Sequence, residues 1–254
     1  MINPFVEQIW RHPIKSLGAE RVKRVTLSEG KTLPWDRVWA LTYKNSKFDF
    51  GNPKWVSCHK FLRCSIAPLF AAVSAQVNES CGEISLKHPA IGSINLNPED
   101  PNSVSDFIKW VYPICPKNAP KPETLCKVPG RGMTDTDYPS ISLNSISSLK
   151  DLSKKMDLEL DPRRFRGNIW IKGLGPWFEN ELVGEKISIG ESVLKVVEPI
   201  VRCNATKLNV KTGRADADTL TALQDNFNHK NFGVYCKVIK PGSISEKDSF
   251  SVIS

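Results

Sequence analysis

With 254 residues, 40% of them hydrophobic and 24% charged, the chain has ordinary globular composition and enough length to bury a core without disulfide staples, which excludes disordered and fibrous classes. The net charge of +8 suits an anionic partner. The basic residues are scattered, however, with no Lys/Arg block of about five or more, so most of the charge reads as solubility and no nucleic-acid partner is expected.

The chain opens with "MINPFVEQIWRHPIKSLG", which lacks a basic region followed by a continuous apolar run. No later stretch approaches the roughly 18 apolar residues of a membrane span. A cytoplasmic location without a membrane span is the expectation. Short β-prone runs at 5–10, 22–27 and 36–43, then "IAPLFAAVSAQV" and "GEISLKH", alternate with Gly, Pro, Ser and Lys at the spacing of an antiparallel domain. These give a β-rich N-terminal domain over residues 1–100. Residues 101–140 read as a linking region whose one helix carries Val104, Phe107, Ile108 and Val111 at helical spacing.

From Asn144, "NSISSLKDLSKKM" places Ile146, Leu149, Leu152 and Met156 on one helical face behind Asn or Ser caps. Strands are then expected in "FRGNIWIKG", "EKISIG", "SVLKVVEPIVRC" and "FGVYCKVIKPGSI", with a short capped helix in "DADTLTALQDNF". The fold class expected is mainly β with short helices, the second domain running over residues 101–254.

Three segments concentrate polar chemistry. In "DPRRFRGN", an extended backbone would put Arg164, Arg166 and Asn168 on one face, so that two guanidiniums and an amide converge on one anion; a solvated basic turn with an Arg–Asp pair is the alternative. In "HPIKSLG", Lys15 and Ser16 follow a proline-fixed turn and could hold a phosphate oxygen by charge and hydroxyl, or simply be solvated. In "PWDRVWAL", Asp36 and Arg37 would point to opposite faces of a strand, either as a structural pair or with Arg37 facing a ligand.

Cysteine use adds a fourth. Seven cysteines are an odd number, and without a secretory segment they read as reduced thiols. Cys203, in "VRCNAT", has Arg202, Asn204 and Thr206 as neighbours, a cation-bearing setting that favours thiolate. No other cysteine lies within three residues of it and the four histidines are dispersed, so neither a zinc knuckle nor a redox CxxC pair is supported.

In order and spacing, "DPRRFRGNIWI", "GPWFENELVGEKISIGESVLKVVEPIVRCNAT", "KTG" and "FGVYCKVIKPGSISEKDSF" resemble the MOSC domain, the molybdenum cofactor sulfurase C-terminal domain. "IWRHPIKSLG", "DRVWALT" and "KWVSCHKFL" are similar to the β-barrel domain that precedes it in the amidoxime-reducing component and its bacterial relatives. The resemblance implies a β-barrel-like MOSC domain, a smaller N-terminal β domain and a molybdenum cofactor (molybdopterin). It implies that Cys203 ligates molybdenum and is the catalytic thiol. It further implies that Arg166 and Asn168, with Arg164 beside them, bind the phosphate end of the cofactor, and that Lys15, Ser16, Arg37, Arg202 and Thr206 complete the pocket.

The function it implies is a molybdenum-dependent oxidoreductase that removes oxygen from N-hydroxylated or related N-oxide and S-oxide small molecules. No C-x4-C-x2-C pattern for an iron–sulfur cluster occurs in the chain, so electrons are expected from a separate ferredoxin-, flavoprotein- or cytochrome-type protein. The alternative is a cofactor or sulfur carrier using Cys203 without redox turnover. Pyridoxal phosphate binding belongs to the domain fused to sulfurase members, and no such domain is expected within these residues. The chain departs from the family pattern at Leu182, at Asn209–Val210 and at Lys247–Asp248, changes expected to alter the substrate-facing surface.

Overall fold

Strand β1 (Phe5–Arg11) shows how the sequence builds this fold. Val6 and Ile9 are both fully buried although three residues apart, because a bulge between Val6 and Gln8 resets the two-residue alternation of the strand. The computed structural model describes residues 3–253. After β1 come β2 (Glu20–Val22), β3 (Arg24–Leu27), β4 (Trp39–Tyr43), β5 (Ser74–Asn78), β6 (Glu83–His88), β7 (Gly92–Leu96), α1 (Pro101–Val111), β8 (Pro122–Lys127), β9 (Ile141–Ser145) and α2 (Ile146–Met156). β10 (Ile169–Lys172), β11 (Lys186–Ile189), β12 (Ser192–Val201), α3 (Thr219–Phe227), β13 (Asn231–Lys240), β14 (Gly242–Ser245) and β15 (Phe250–Ile253) complete the chain. The fold is mainly β with short helices.

One eight-stranded sheet runs in the order β15-β11-β12-β13-β9-β10-β1-β2. Only β9 and β10 pair in parallel, with α2 as the crossover between them. The sheet curls back on itself: Val6 N donates to Asp248 O at 2.9 Å and Lys247 N donates to Val6 O at 2.7 Å, which returns the β15 end to β1 and gives a barrel-like form. Its interior packs Val6, Ile9, Leu143, Ile169, Ile187, Leu194 and Val234, all fully buried. A second core gathers Leu41, Leu62, Phe70, Ile84, Leu86, Phe107 and Val111 under the β5-β6-β7 sheet, the β4-β8 pair and α1.

These two cores do not divide at residue 100. β1 pairs with β10 and β3 with β14, so the first strands belong to the barrel. Conversely β8 pairs with β4, and α1 buries Phe107 and Val111 in the second core. The chain thus passes between the two cores several times, at the 12–18 loop, the 33–38 turn and the stretch from 128 to 140. Three local expectations also change. Pro68–Ala72 is a 3-10 turn rather than strand, residues 36–38 form a turn before β4, and Ile141–Ser145 is a strand whose Ser145 caps α2 by accepting from Ser147 N and Ser148 N.

Candidate functional site

The crossings bring the polar segments together. In the first, Lys15 N donates to Trp39 O at 2.8 Å and Leu17 N to Ile14 O at 3.0 Å, closing a tight turn with Ser16 in the left-handed region at φ 65. Lys15 is buried, and its Nζ donates to Met133 O at 2.8 Å and Asp135 Oδ1 at 2.6 Å. Two of its three donors are thus engaged within the protein.

Arg37 lies in the second crossing at φ 52, so Asp36 and Arg37 are not on opposite faces of a strand as expected. They form a direct ion pair. Asp36 in turn accepts from His12 N at 2.8 Å, and Arg37 Nη2 donates to Arg166 O at 2.7 Å. Burial pushes the Arg37 guanidinium down, but Asp36 and Asp135 outweigh it and hold it above its ordinary value.

The "DPRRFRGN" segment is a turn and not extended. Asp161 caps a 3-10 turn over Pro162–Phe165 by accepting from Arg163 N, and Arg166 follows in the left-handed region at φ 48. Arg164 and Arg166 still converge, because the turn redirects both. Arg164 pairs with Asp216 at 2.7 Å and donates to Lys207 O at 3.2 Å; Arg166 donates to Gly18 O at 3.2 Å and Ile14 O at 3.3 Å. Burial pushes the Arg166 guanidinium down to about 10, with Cys64 opposing and Arg37 adding to the effect.

Asn168 has another place. Its Oδ1 accepts from Ser142 N and Ser142 Oγ, and its Nδ2 donates to Trp10 O. Its amide ties β1, β9 and β10 together beneath the site, so the face it was expected to share with the arginines does not exist.

β12 ends at Val201 and the next two residues diverge. Arg202 turns inward: Nε donates to Phe232 O at 2.7 Å, Nη1 to Phe165 O at 2.8 Å and Nη2 to Asn144 Oδ1 at 2.9 Å. Burial pushes this guanidinium down to about 10. Cys203 turns outward and is an exposed free thiol. Thr206 Oγ1 donates to Cys203 O at 3.0 Å and lies 2.6 Å from Thr219 Oγ1, fixing the backbone that presents the sulfur.

A cleft of about 380 Å³ joins these parts, lined by Lys15, Ser16, Arg37, Arg164, Arg166, Arg202, Cys203 and Thr206. Asn168 does not line it. The wall also includes Arg63, Cys64, Asp135 and Tyr235, which the sequence left unmarked because "KFLRCS", "MTDTDY" and "FGVYCKV" read only as loop and strand. Burial tends to raise the Asp135 pKa, but Lys15, Arg37 and Arg166 outweigh it and hold the carboxyl below its ordinary value. Burial pushes the Tyr235 phenol up to about 12 and the Cys64 thiol up to about 11.

The wall is therefore cationic, with Asp135 as the carboxylate among its lining residues. Arg63 Nε and Arg164 Nε are buried donors without an acceptor, and both arginines line the cleft, where guanidinium groups suit an oxyanion. Among the described residues no group of three or more His, Cys, Asp or Glu side chains is placed to hold a metal ion. A metal at Cys203 thus fits as part of a ligand that brings further donor atoms and an anionic end, and the residues present suit such a group. The departures at Leu182 and Lys247–Asp248 lie elsewhere: Leu182 is buried in the barrel core, and Asp248 accepts from Ser245 N at 2.7 Å in a turn. No described helix is long and apolar enough to cross a membrane.

Comparison with known proteins places these features in context. A family profile described as "MOSC domain" matches residues 133–251, and one described as "MOSC N-terminal beta barrel domain" matches residues 3–91. A molybdenum cofactor sulfurase of Caenorhabditis briggsae is 30% identical over 119 residues, covering 44% of this chain and 16% of that protein. One of Caenorhabditis elegans is 31% identical over 105 residues, covering 40% and 14%. The matched segments are thus a small part of the curated relatives. Among solved structures, the YUAD protein from Bacillus subtilis is 14% identical with a TM-score of 0.49 over 99% of this chain and 96% of that one. YiiM from Geobacillus stearothermophilus is 17% identical with a TM-score of 0.36 over 45% and 54%.

Proposed function

From the premise that this chain belongs to the MOSC family, its MOSC domain preceded by a MOSC N-terminal beta barrel domain, we propose that the cleft holds a molybdenum cofactor and that the protein is an oxidoreductase. The substrates of this reading are N-hydroxylated compounds and related N-oxides and S-oxides. The observation that carries it is a single exposed thiol, Cys203, standing among converging guanidinium groups in one cleft. Cys203 offers one thiolate to the metal, while Arg164 and Arg166 offer charge-assisted donors to the phosphate end. When bound, such a cofactor supplies the two-electron chemistry by which an oxygen atom leaves the substrate.

The remaining roles fall to the chain's own residues. Arg202 and Thr206 hold the backbone on either side of Cys203, so the sulfur is presented from a fixed wall. Lys15 and Arg37 keep Asp135 ionised, available to orient a polar substrate. Tyr235, whose phenol stays protonated up to about 12, is a hydrogen-bond donor in the same wall. Electrons come from a separate redox protein. The curated relatives' name favours a second reading, in which Cys203 carries sulfur as a persulfide.

The test is reduction of an N-hydroxylated amidine by protein purified from a host that makes molybdenum cofactor, with dithionite as reductant. The wild type should form the amidine and Cys203→Ala should not. Molybdenum-loaded protein that forms none would refute the oxidoreductase reading, and a persulfide adduct on Cys203 by intact mass would establish the second.

A further inference from the structure

The guanidinium groups of the cleft differ in how far the protein itself satisfies them. Arg37 is paired with Asp36, Arg164 with Asp216, and Arg166 and Arg202 reach backbone carbonyls. Arg63 is the exception. Among the described residues it makes no ion pair; its Nη1 reaches only the Cys58 sulfur, at 3.8 Å, and its Nε is buried without an acceptor. A thiol is a weak acceptor for so strong a donor set.

Its backbone is nonetheless held firmly. The flanking Phe61, Leu62 and Cys64 are buried, Leu62 N donates to Leu41 O at 2.9 Å, and Ile66 N and Ala67 N both donate to Arg63 O at 2.8 Å. Cys64 Sγ donates to Ser16 O at 2.7 Å, which fixes this segment against the loop that carries Lys15. A rigid wall thus presents a fork with almost no partner into a cationic cleft. Leu62 and Cys64 belong to the second core, whereas Arg164, Arg166 and Cys203 rise from the barrel side.

We propose that Arg63 is an oxyanion-binding residue of the cleft, contributed by the second core to a phosphate-class ligand whose other contacts come from the barrel. The planar fork of arginine matches the paired oxygens of a phosphate. The ligand is identified by this chemistry, whether the oxyanion is the phosphate of a bound cofactor or that of a phosphorylated small molecule. The inference goes beyond the oxidoreductase reading, since it concerns the anion and not the reaction.

Calorimetric titration with pyrophosphate, on protein made in a host without molybdenum cofactor, tests it. Wild type should bind, Arg63→Gln should bind about tenfold more weakly or worse, and Arg63→Lys, which keeps the charge without the fork, should fall between. Arg21→Gln, which removes an exposed pair with Glu246, should leave binding unchanged. Equal binding by wild type and folded Arg63 variants, or no binding by wild type, overturns the proposal. With the binding difference established, Arg63→Gln from a cofactor-making host identifies the source: lowered molybdenum content assigns the oxyanion to the cofactor, and unchanged content assigns it to another phosphate ester.

Discussion

Arg202 and Cys203 are adjacent in sequence and opposite in role. The arginine faces inward on three hydrogen bonds, so its charge organises the wall, while the cysteine next to it is left exposed. Arg202→Lys keeps the charge and loses the fork; it should lower unfolding free energy by about 2 kcal/mol in chemical denaturation. Glu179 is a second inward group. One of its oxygens accepts from Ser148 Oγ at 2.7 Å, the other is buried without a partner, and burial raises its pKa from 4.5 to about 7. The folded state holds this proton where the unfolded state has released it. Stability contributed by the protonated carboxyl is therefore full below pH 4.5 and lost as pH rises toward 7, a loss on the order of 3 kcal/mol. Glu179→Gln should flatten that part of the stability profile measured by urea denaturation. An unchanged slope would show that the carboxyl is ionised in the folded protein.

At the scale of elements, close packing behind the cleft sets strict limits. The Asn144 side chain, which accepts from Arg202, lies between Gly167 and Gly233; a Cβ on Gly167 would fall 1.9 Å from Asn144 Nδ2. Gly167→Ala should cost about 2 kcal/mol or more and lower the melting temperature, since either Asn144 or the turn must move. The sequence makes the capped helices and alternating strands readable, because their apolar spacing is local. It hides β9, whose five residues are all buried and so show no alternation, leaving Asn144 to read as a helix cap. Arg164 and Arg166 are legible as a converging pair, but by a wrong geometry: a turn joins them and not a strand. Asp135, Tyr235 and Arg63 carry no local signal, since only the pairing of β9 with β13 and the chain crossings bring them to Cys203.

At the scale of the molecule, two cores share one interleaved chain, and the cleft lies where the chain passes between them. The strands nearest the N-terminus complete the barrel. Residues 101–254 alone would leave β10 and β14 with unpaired edges, and should fail to unfold cooperatively in a thermal melt; a sharp transition matching that of the full chain would show that the barrel is independent. The proposed function rests on the cleft and its exposed thiol, Cys203. Molybdenum and pterin analysis of protein purified from a host that makes molybdenum cofactor tests it most directly. Molybdenum approaching one atom per chain is expected in the wild type, with a marked loss in Cys203→Ala; wild-type protein carrying neither molybdenum nor pterin would overturn the proposed function.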